Sequence, residues 1–71
     1  MLKVRYWAAM TGDLSLQLLN QAGQPMIRQL YSVTAGENLI NVPVQEIPRG
    51  FYILSLIQGQ QRVTSKVILA E

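Results

Sequence analysis

The chain contains neither cysteine nor histidine. Without thiols there is no disulfide and no thiolate metal site, and nothing in the sequence marks the redox state of its compartment. Without imidazole the usual zinc sites and a Ser/His/Asp triad are excluded, and a cysteine nucleophile goes with the missing thiols. Charge is scarce as well. Six basic residues (Lys3, Arg5, Arg28, Arg49, Arg62, Lys66) face four acids, for a formal net charge of +2. That sign suggests an anionic partner, but the cations are too few and too dispersed for a nucleic-acid footprint, so no nucleic acid is expected. No apolar run approaches the ~20 residues of a membrane helix, and no transmembrane segment is expected. Lys3 and Arg5 interrupt the first residues, so Met1–Tyr6 is not a signal peptide; an export signal of that kind would lie elsewhere or upstream. The carboxylates Asp13, Glu37, Glu46 and Glu71 fall in turns or at the terminus, no two in one motif. Glu37 and Glu46 could approach in space, yet glycosidase chemistry needs two facing acids in a cleft. Neither an enzyme nor a cofactor is expected.

What is present is apolar and folds. Of 71 residues 49% are hydrophobic, enough to build a core and too many for a disordered chain. The length allows one small domain, residues 1–71, whose single core supplies no more than ~3–5 kcal/mol.

The most informative stretch is Ile47-Pro48-Arg49-Gly50-Phe51-Tyr52-Ile53-Leu54-Ser55-Leu56-Ile57. Pro48 fixes its own φ and pushes Ile47 toward an extended conformation, while Gly50 accepts positive φ at the entry to a strand. Tyr52, Leu54 and Leu56 alternate with Phe51, Ile53, Ser55 and Ile57, so both faces are mostly apolar. Such a strand is expected at the centre of a sheet, with a layer over each face.

Elsewhere short alternating runs are separated by turns. Leu2, Val4, Tyr6 and Ala8 alternate with Lys3, Arg5 and Trp7, giving a half-buried strand over 2–9. Thr11-Gly12-Asp13 reads as a turn and Leu14, Leu16 and Leu18 as a second strand, so the two are expected to pair as a hairpin. Asn20-Gln21-Ala22-Gly23-Gln24 is a turn with Gly23 at positive φ, and Pro25 opens an edge strand through Tyr31. Thr34-Ala35-Gly36-Glu37-Asn38 forms a loop before a strand over 39–44, and Asn38 is placed to cap that loop with its side chain. Gln58-Gly59-Gln60 closes a hairpin onto a last strand, Arg62 to Leu69. Turns at 8–12-residue spacing without helical periodicity predict an all-β fold, a small sandwich or barrel of six or seven short antiparallel strands.

Four segments in this order carry a resemblance: Asn20-Gln21-Ala22-Gly23-Gln24, Gly36-Glu37-Asn38, Ile47-Pro48-Arg49-Gly50-Phe51-Tyr52-Ile53-Leu54, and Ser65-Lys66-Val67-Ile68-Leu69. Together, over about residues 14–71, they resemble the C-terminal sorting domain of type IX (Por) secretion cargo, in its type A form. That pattern runs as a D-x-x-G turn, a G-x-N strand entry, an L-x-x-G-x-Y turn and strand, and a Lys-led apolar terminus. No one of these motifs is specific alone. Asn20 stands where the family prefers Asp, and the family's Asn-Pro pair before the first strand has no counterpart here.

The resemblance implies an immunoglobulin-like β-sandwich that ends a longer exported protein, with Met1 either a start or an internal residue. It implies a non-catalytic signal that directs an upstream cargo domain through the periplasm and across the outer membrane to the cell surface. Its partners would be the secretion machinery and a sortase-like protease that removes it and attaches the cargo. The residues placed in the sorting motif, as recognition or structural groups, are Gly23, Gly36, Asn38, Pro48, Gly50, Tyr52 and Lys66.

Each has a simpler role beside that one. Gly23, Gly36 and Gly50 serve turns, Tyr52 fills the core with its hydroxyl on a partner, and Lys66 discourages edge pairing. Arg62 and Thr64 share a strand face with Lys66 at period two, a weak basic stripe. Trp7, on the polar side of its strand between cations, suits a sugar ring or an interface. This supports an alternative, a structural or adhesive surface module that binds carbohydrate through Trp7 and Tyr31. A third option, a small nucleic-acid-binding barrel, predicts affinity that falls steeply with salt. Open strand edges also predict a weak homodimer at high concentration.

Overall fold

Period-two alternation resolves into six antiparallel strands in the computed structural model, which describes residues 1–70; Glu71 lies outside them. The strands are β1 (Leu2–Ala8), β2 (Gly12–Leu19), β3 (Pro25–Val33), β4 (Gly36–Val42), β5 (Gly50–Gln58) and β6 (Gln61–Leu69). β1 and β4 make a two-stranded sheet, and the other four a sheet in the order β3-β2-β5-β6. The two sheets bury one face each against the other, giving a small all-β sandwich with no helix among the described residues.

The stretch after Gly50 is an interior strand, as its composition requires: β5 pairs with β2 on one side and β6 on the other. Its neighbour β2 is buried more deeply. Leu14, Leu16 and Leu18 expose no surface, and they meet Val4, Tyr6 and Ala8 of β1 and Ile40 and Val42 of β4 across the interior. Leu54 and Leu56 of β5 and Val33 of β3 extend the same core. Stiff β-branched residues supply much of the small sheet's share, where flat pleated packing suits them.

Three expectations are corrected. β1 and β2 do not form a hairpin. β1 pairs with β4, in register from Leu2↔Val42 to Ala8↔Gly36, and β2 pairs with β3 and β5. The connection between β1 and β2 carries the chain from one sheet to the other, so their apolar faces meet across the core instead of lying side by side. A short loop permits both geometries, and only the long-range ladder to β4 decides between them. Second, Gly12 and Asp13 already belong to β2, paired with Val33 and Ser32, and Gly36, Glu37 and Asn38, expected in a loop, already belong to β4, paired with Ala8, Trp7 and Tyr6, so that strand runs over 36–42 and not 39–44. Third, no layer covers the second face of β5. Phe51 is 51% exposed and Ile53 42%, because the small sheet lies only against the inner face.

The edges differ in finish. β3 opens at Pro25, which has no N–H to offer, and its register with β2 shifts between Leu18 and Leu19. β6 follows β5 without interruption from Gly50↔Leu69 to Gln58↔Gln61.

One polar side chain is sealed in the core. Gln58, 7% exposed, accepts a hydrogen bond from the Tyr6 hydroxyl at 2.9 Å and donates to the Met10 carbonyl at 2.8 Å. It ties the end of β5 to β1 and to the segment that crosses between the sheets. Both of its polar atoms are satisfied, which a buried amide needs.

Candidate recognition surface

The residues of the proposed motif separate into two groups at opposite ends of the sandwich. At one end β1 finishes, β4 begins and β2 starts. Gly36 sits there at φ 105°, opposite Ala8, in a conformation that side chains with a Cβ rarely adopt. Asn38, two residues on, organises the loop. Its Oδ1 accepts from the Thr34 N–H at 3.1 Å, and its Nδ2 donates to the carbonyls of Thr34 at 2.8 Å and Gly36 at 3.0 Å. The capping expected of Asn38 is therefore present, and its side chain is taken up by backbone.

At the other end β2 finishes, β5 begins and β6 finishes. Asn20 folds the turn between β2 and β3 around its own carboxamide. Oδ1 accepts from the N–H groups of Ala22 and Gln24, both at 2.9 Å, and the Asn20 N–H donates to the Gln24 carbonyl at 2.9 Å. This is an Asx turn, in which an asparagine oxygen replaces a backbone acceptor, and an aspartate carboxylate would supply the same oxygen. Gly23, at φ 84°, closes the turn with its N–H on the Asn20 carbonyl at 3.0 Å. Tyr52 is buried, and its hydroxyl donates to the Pro48 carbonyl, so the ring pins the turn that carries Pro48 and Gly50 onto β5. Lys66 lies exposed on β6 directly opposite Ile53.

These local structures leave a shallow apolar depression on the outer face of the large sheet. Leu19, Gly23, Phe51, Tyr52, Ile53 and Lys66 line it, and a second hollow continues beside it over Arg49 and Gly50. Gly23, Gly50, Tyr52 and Lys66 thus come together, with Pro48 behind Tyr52, while Gly36 and Asn38 stand apart from them. The basic stripe expected on β6 is also formed. Arg62, Thr64 and Lys66 face outward opposite Ile57, Ser55 and Ile53 of β5, and Ile68 (63% exposed) continues the row opposite Phe51.

Phe51, Ile53 and Leu19 were not singled out from the sequence, though a signal for the first two exists. Counting by twos from Tyr52 sends Leu54 and Leu56 inward and leaves Phe51 and Ile53 outward, unless a further layer covers them.

Other sequence candidates disperse. Trp7 is 68% exposed on the outer face of the small sheet, opposite Glu37. Tyr31 is on the inner side of β3, with its hydroxyl near the Asn41 carbonyl at 3.5 Å, on the opposite flank. They do not form a shared sugar platform. Glu37 lies on β4 beside the end of β1, whereas Glu46 follows β4 at the other end, so they do not converge.

Compared with known protein families, residues 1–70 match the family described as the secretion system C-terminal sorting domain. No curated protein and no solved structure matches the chain.

Proposed function

This chain belongs to the secretion system C-terminal sorting domain family, the sorting signal of type IX secretion, and we propose that export machinery reads its folded outer surface around Lys66. A sorting domain is part of an exported cargo protein and engages the type IX apparatus; domains of this family are not catalytic in general. The observation that carries the surface assignment is the exposed apolar face beside Lys66, onto which four of the motif residues converge. Packing alone gives Phe51, Ile53 and Ile68 no reason to be apolar there. A contiguous apolar patch rimmed by charge is what a docking surface offers.

In this reading Gly23, Pro48, Gly50 and Tyr52 shape the surface, and Lys66 and its apolar neighbours are touched. Gly36 and Asn38 keep the far end folded. The domain works without catalysis, since its described carboxylates, Asp13, Glu37 and Glu46, are scattered over different elements and it has no histidine or cysteine. It follows an upstream cargo domain through the periplasm, and a sortase-like protease then removes it as the cargo is attached to the cell surface. Weak self-association through open strand edges belongs to the same reading.

The test is a periplasmic reporter carrying residues 1–71 in a type IX-competent host. Export of the reporter is expected, with loss on removal of residues 65–71. Lys66→Glu, or Phe51→Ser with Ile53→Ser, should reduce export while the purified domain keeps its β-sheet circular dichroism. Undiminished export of the folded surface variants would rule this face out as the recognised one.

A further inference from the structure

One flank of the sandwich is built from two open edges. β1 pairs only with β4, and β6 only with β5. Gln61 Nε2 donates to the Trp7 carbonyl at 3.3 Å, and Leu2 shares a hollow with Ile68 and Leu69 at the opposite end. β1 therefore runs along β6, antiparallel to it, on the other side of the gap between the sheets.

The edge of β1 is available for pairing except at the Trp7 carbonyl, which already accepts from Gln61. Asn38 of β4 approaches the Tyr6 carbonyl at 3.5 Å, whereas the Trp7 carbonyl meets β6's side chain instead. Ladder groups alternate along a strand, so Lys3, Arg5 and Trp7 turn their N–H and C=O groups to the open side. The inner face of β6 alongside is incompletely covered. Val63 is 39% exposed, and Val67 and Leu69 are half-buried, because two strands do not span a sheet of four.

The two edge strands themselves carry charge of one sign, although Glu37 of β4 lies opposite Trp7 on the outer face. Lys3 and Arg5 on β1 and Arg62 and Lys66 on β6 account for four of the six cations. Of the described acids, Asp13 is in β2, Glu37 in β4 and Glu46 in the loop after β4. The opposite edge, β3, begins with a proline and has a shifted register, which suits it poorly to a partner strand.

We propose that this flank is a strand-addition site for an extended acidic segment of another polypeptide. The segment pairs with the open edge of β1 over about the seven residues of that strand. Its acidic side chains, at alternate positions, lie beside Lys3 and Arg5 on the outer face. The residues between them are apolar and seat on Val63, Val67 and Leu69. A second copy of this chain is a poor occupant of the β1 edge, because cations would lie directly opposite cations, so self-association uses another open edge.

The experiment uses the 71-residue chain, isotope-labelled, and three synthetic heptapeptides: alternating glutamate and valine, alternating lysine and valine, and the acidic one with a central proline. The acidic peptide is expected to shift and protect the amides of Lys3, Arg5 and Trp7 and to shift the methyls of Val63 and Val67. Added salt should weaken its binding. The basic and proline-interrupted peptides should bind less tightly. Both Lys3 and Arg5 side chains are exposed, so K3E/R5E should keep the fold, checked by its spectrum, and weaken the acidic peptide roughly two- to thirtyfold. Equal binding of acidic and basic peptides, shifts confined to β3 and β4, no binding at millimolar peptide, or self-association that displaces the acidic peptide from β1 would each overturn the proposal. Export does not enter this readout, so its outcome is separate from that of the reporter assay.

Discussion

Replacing Gln58 with leucine tests whether the buried amide holds the two sheets together. The substitution removes the acceptor of the Tyr6 hydroxyl and the donor to the Met10 carbonyl. The two losses are unequal. The bond to the Met10 carbonyl is only part-buried, so water replaces that donor at less cost. Tyr6 is 4% exposed, and its hydroxyl is left without a partner inside the core, worth about 1–3 kcal/mol. Tyr6→Phe creates the converse fault, an orphaned Gln58 oxygen, at a similar cost. The double variant removes both polar partners together and leaves neither orphaned, so its destabilisation should fall short of the sum of the singles by about 1–2 kcal/mol. With a total stability of ~3–5 kcal/mol, each single variant should lose a large part of its folding free energy. A loss of 1 kcal/mol lowers the midpoint by roughly 4–8 °C in a domain of this size. Urea and thermal denaturation followed by circular dichroism measure all four corners of the cycle. Strictly additive single effects would refute the reasoning, for they would mean that the Tyr6–Gln58 bond carries no coupling.

Two further outcomes follow from the turns and the core. Asn20→Ala removes the acceptor of two backbone N–H groups and should cost about 1–2 kcal/mol, whereas Asn20→Asp keeps that acceptor and should cost much less; equal losses by urea denaturation would count against the Asx turn. Leu16→Ala, at a fully buried position between Gln29 of β3 and Leu56 of β5, should cost ~2–5 kcal/mol. Heteronuclear spectra of that variant should collapse toward those of an unfolded chain, and a well-dispersed spectrum with a near-native midpoint would contradict the assigned core.

Local elements were legible because their causes are local. Pro25 marks an edge strand, Gly23 and Gly50 mark turns that require positive φ, and Tyr52-Leu54-Leu56 marks an inward row. The partner of β1 was not legible. The ladder Leu2↔Val42 joins residues far apart in the chain, and the alternation of β1 fits an adjacent β2 equally well. Gln58 reads as a turn residue because a glycine follows it. The same count by twos that buries Leu54 and Leu56 also places it inward, and a polar residue there calls for partners that only the folded chain supplies. The exposed side of β5 follows the same logic in reverse: its apolar residues suggest a covering layer, and the six strands of the described residues do not provide one. Motif order along the sequence likewise concealed that Gly36 and Asn38 sit far from the group around Lys66.

The unequal width of the two sheets also grades the molecule's resistance to opening. β2 and β5 are held by ladders on both sides and by the sealed interior, while β6 has one ladder and a partly wet inner surface. Amide deuteration should therefore be slow along Leu14–Leu18 and faster along Arg62–Ile68. β6 can thus peel away while the leucine centre stays shut, so this outer ribbon can be surrendered and re-laid without the whole body coming apart.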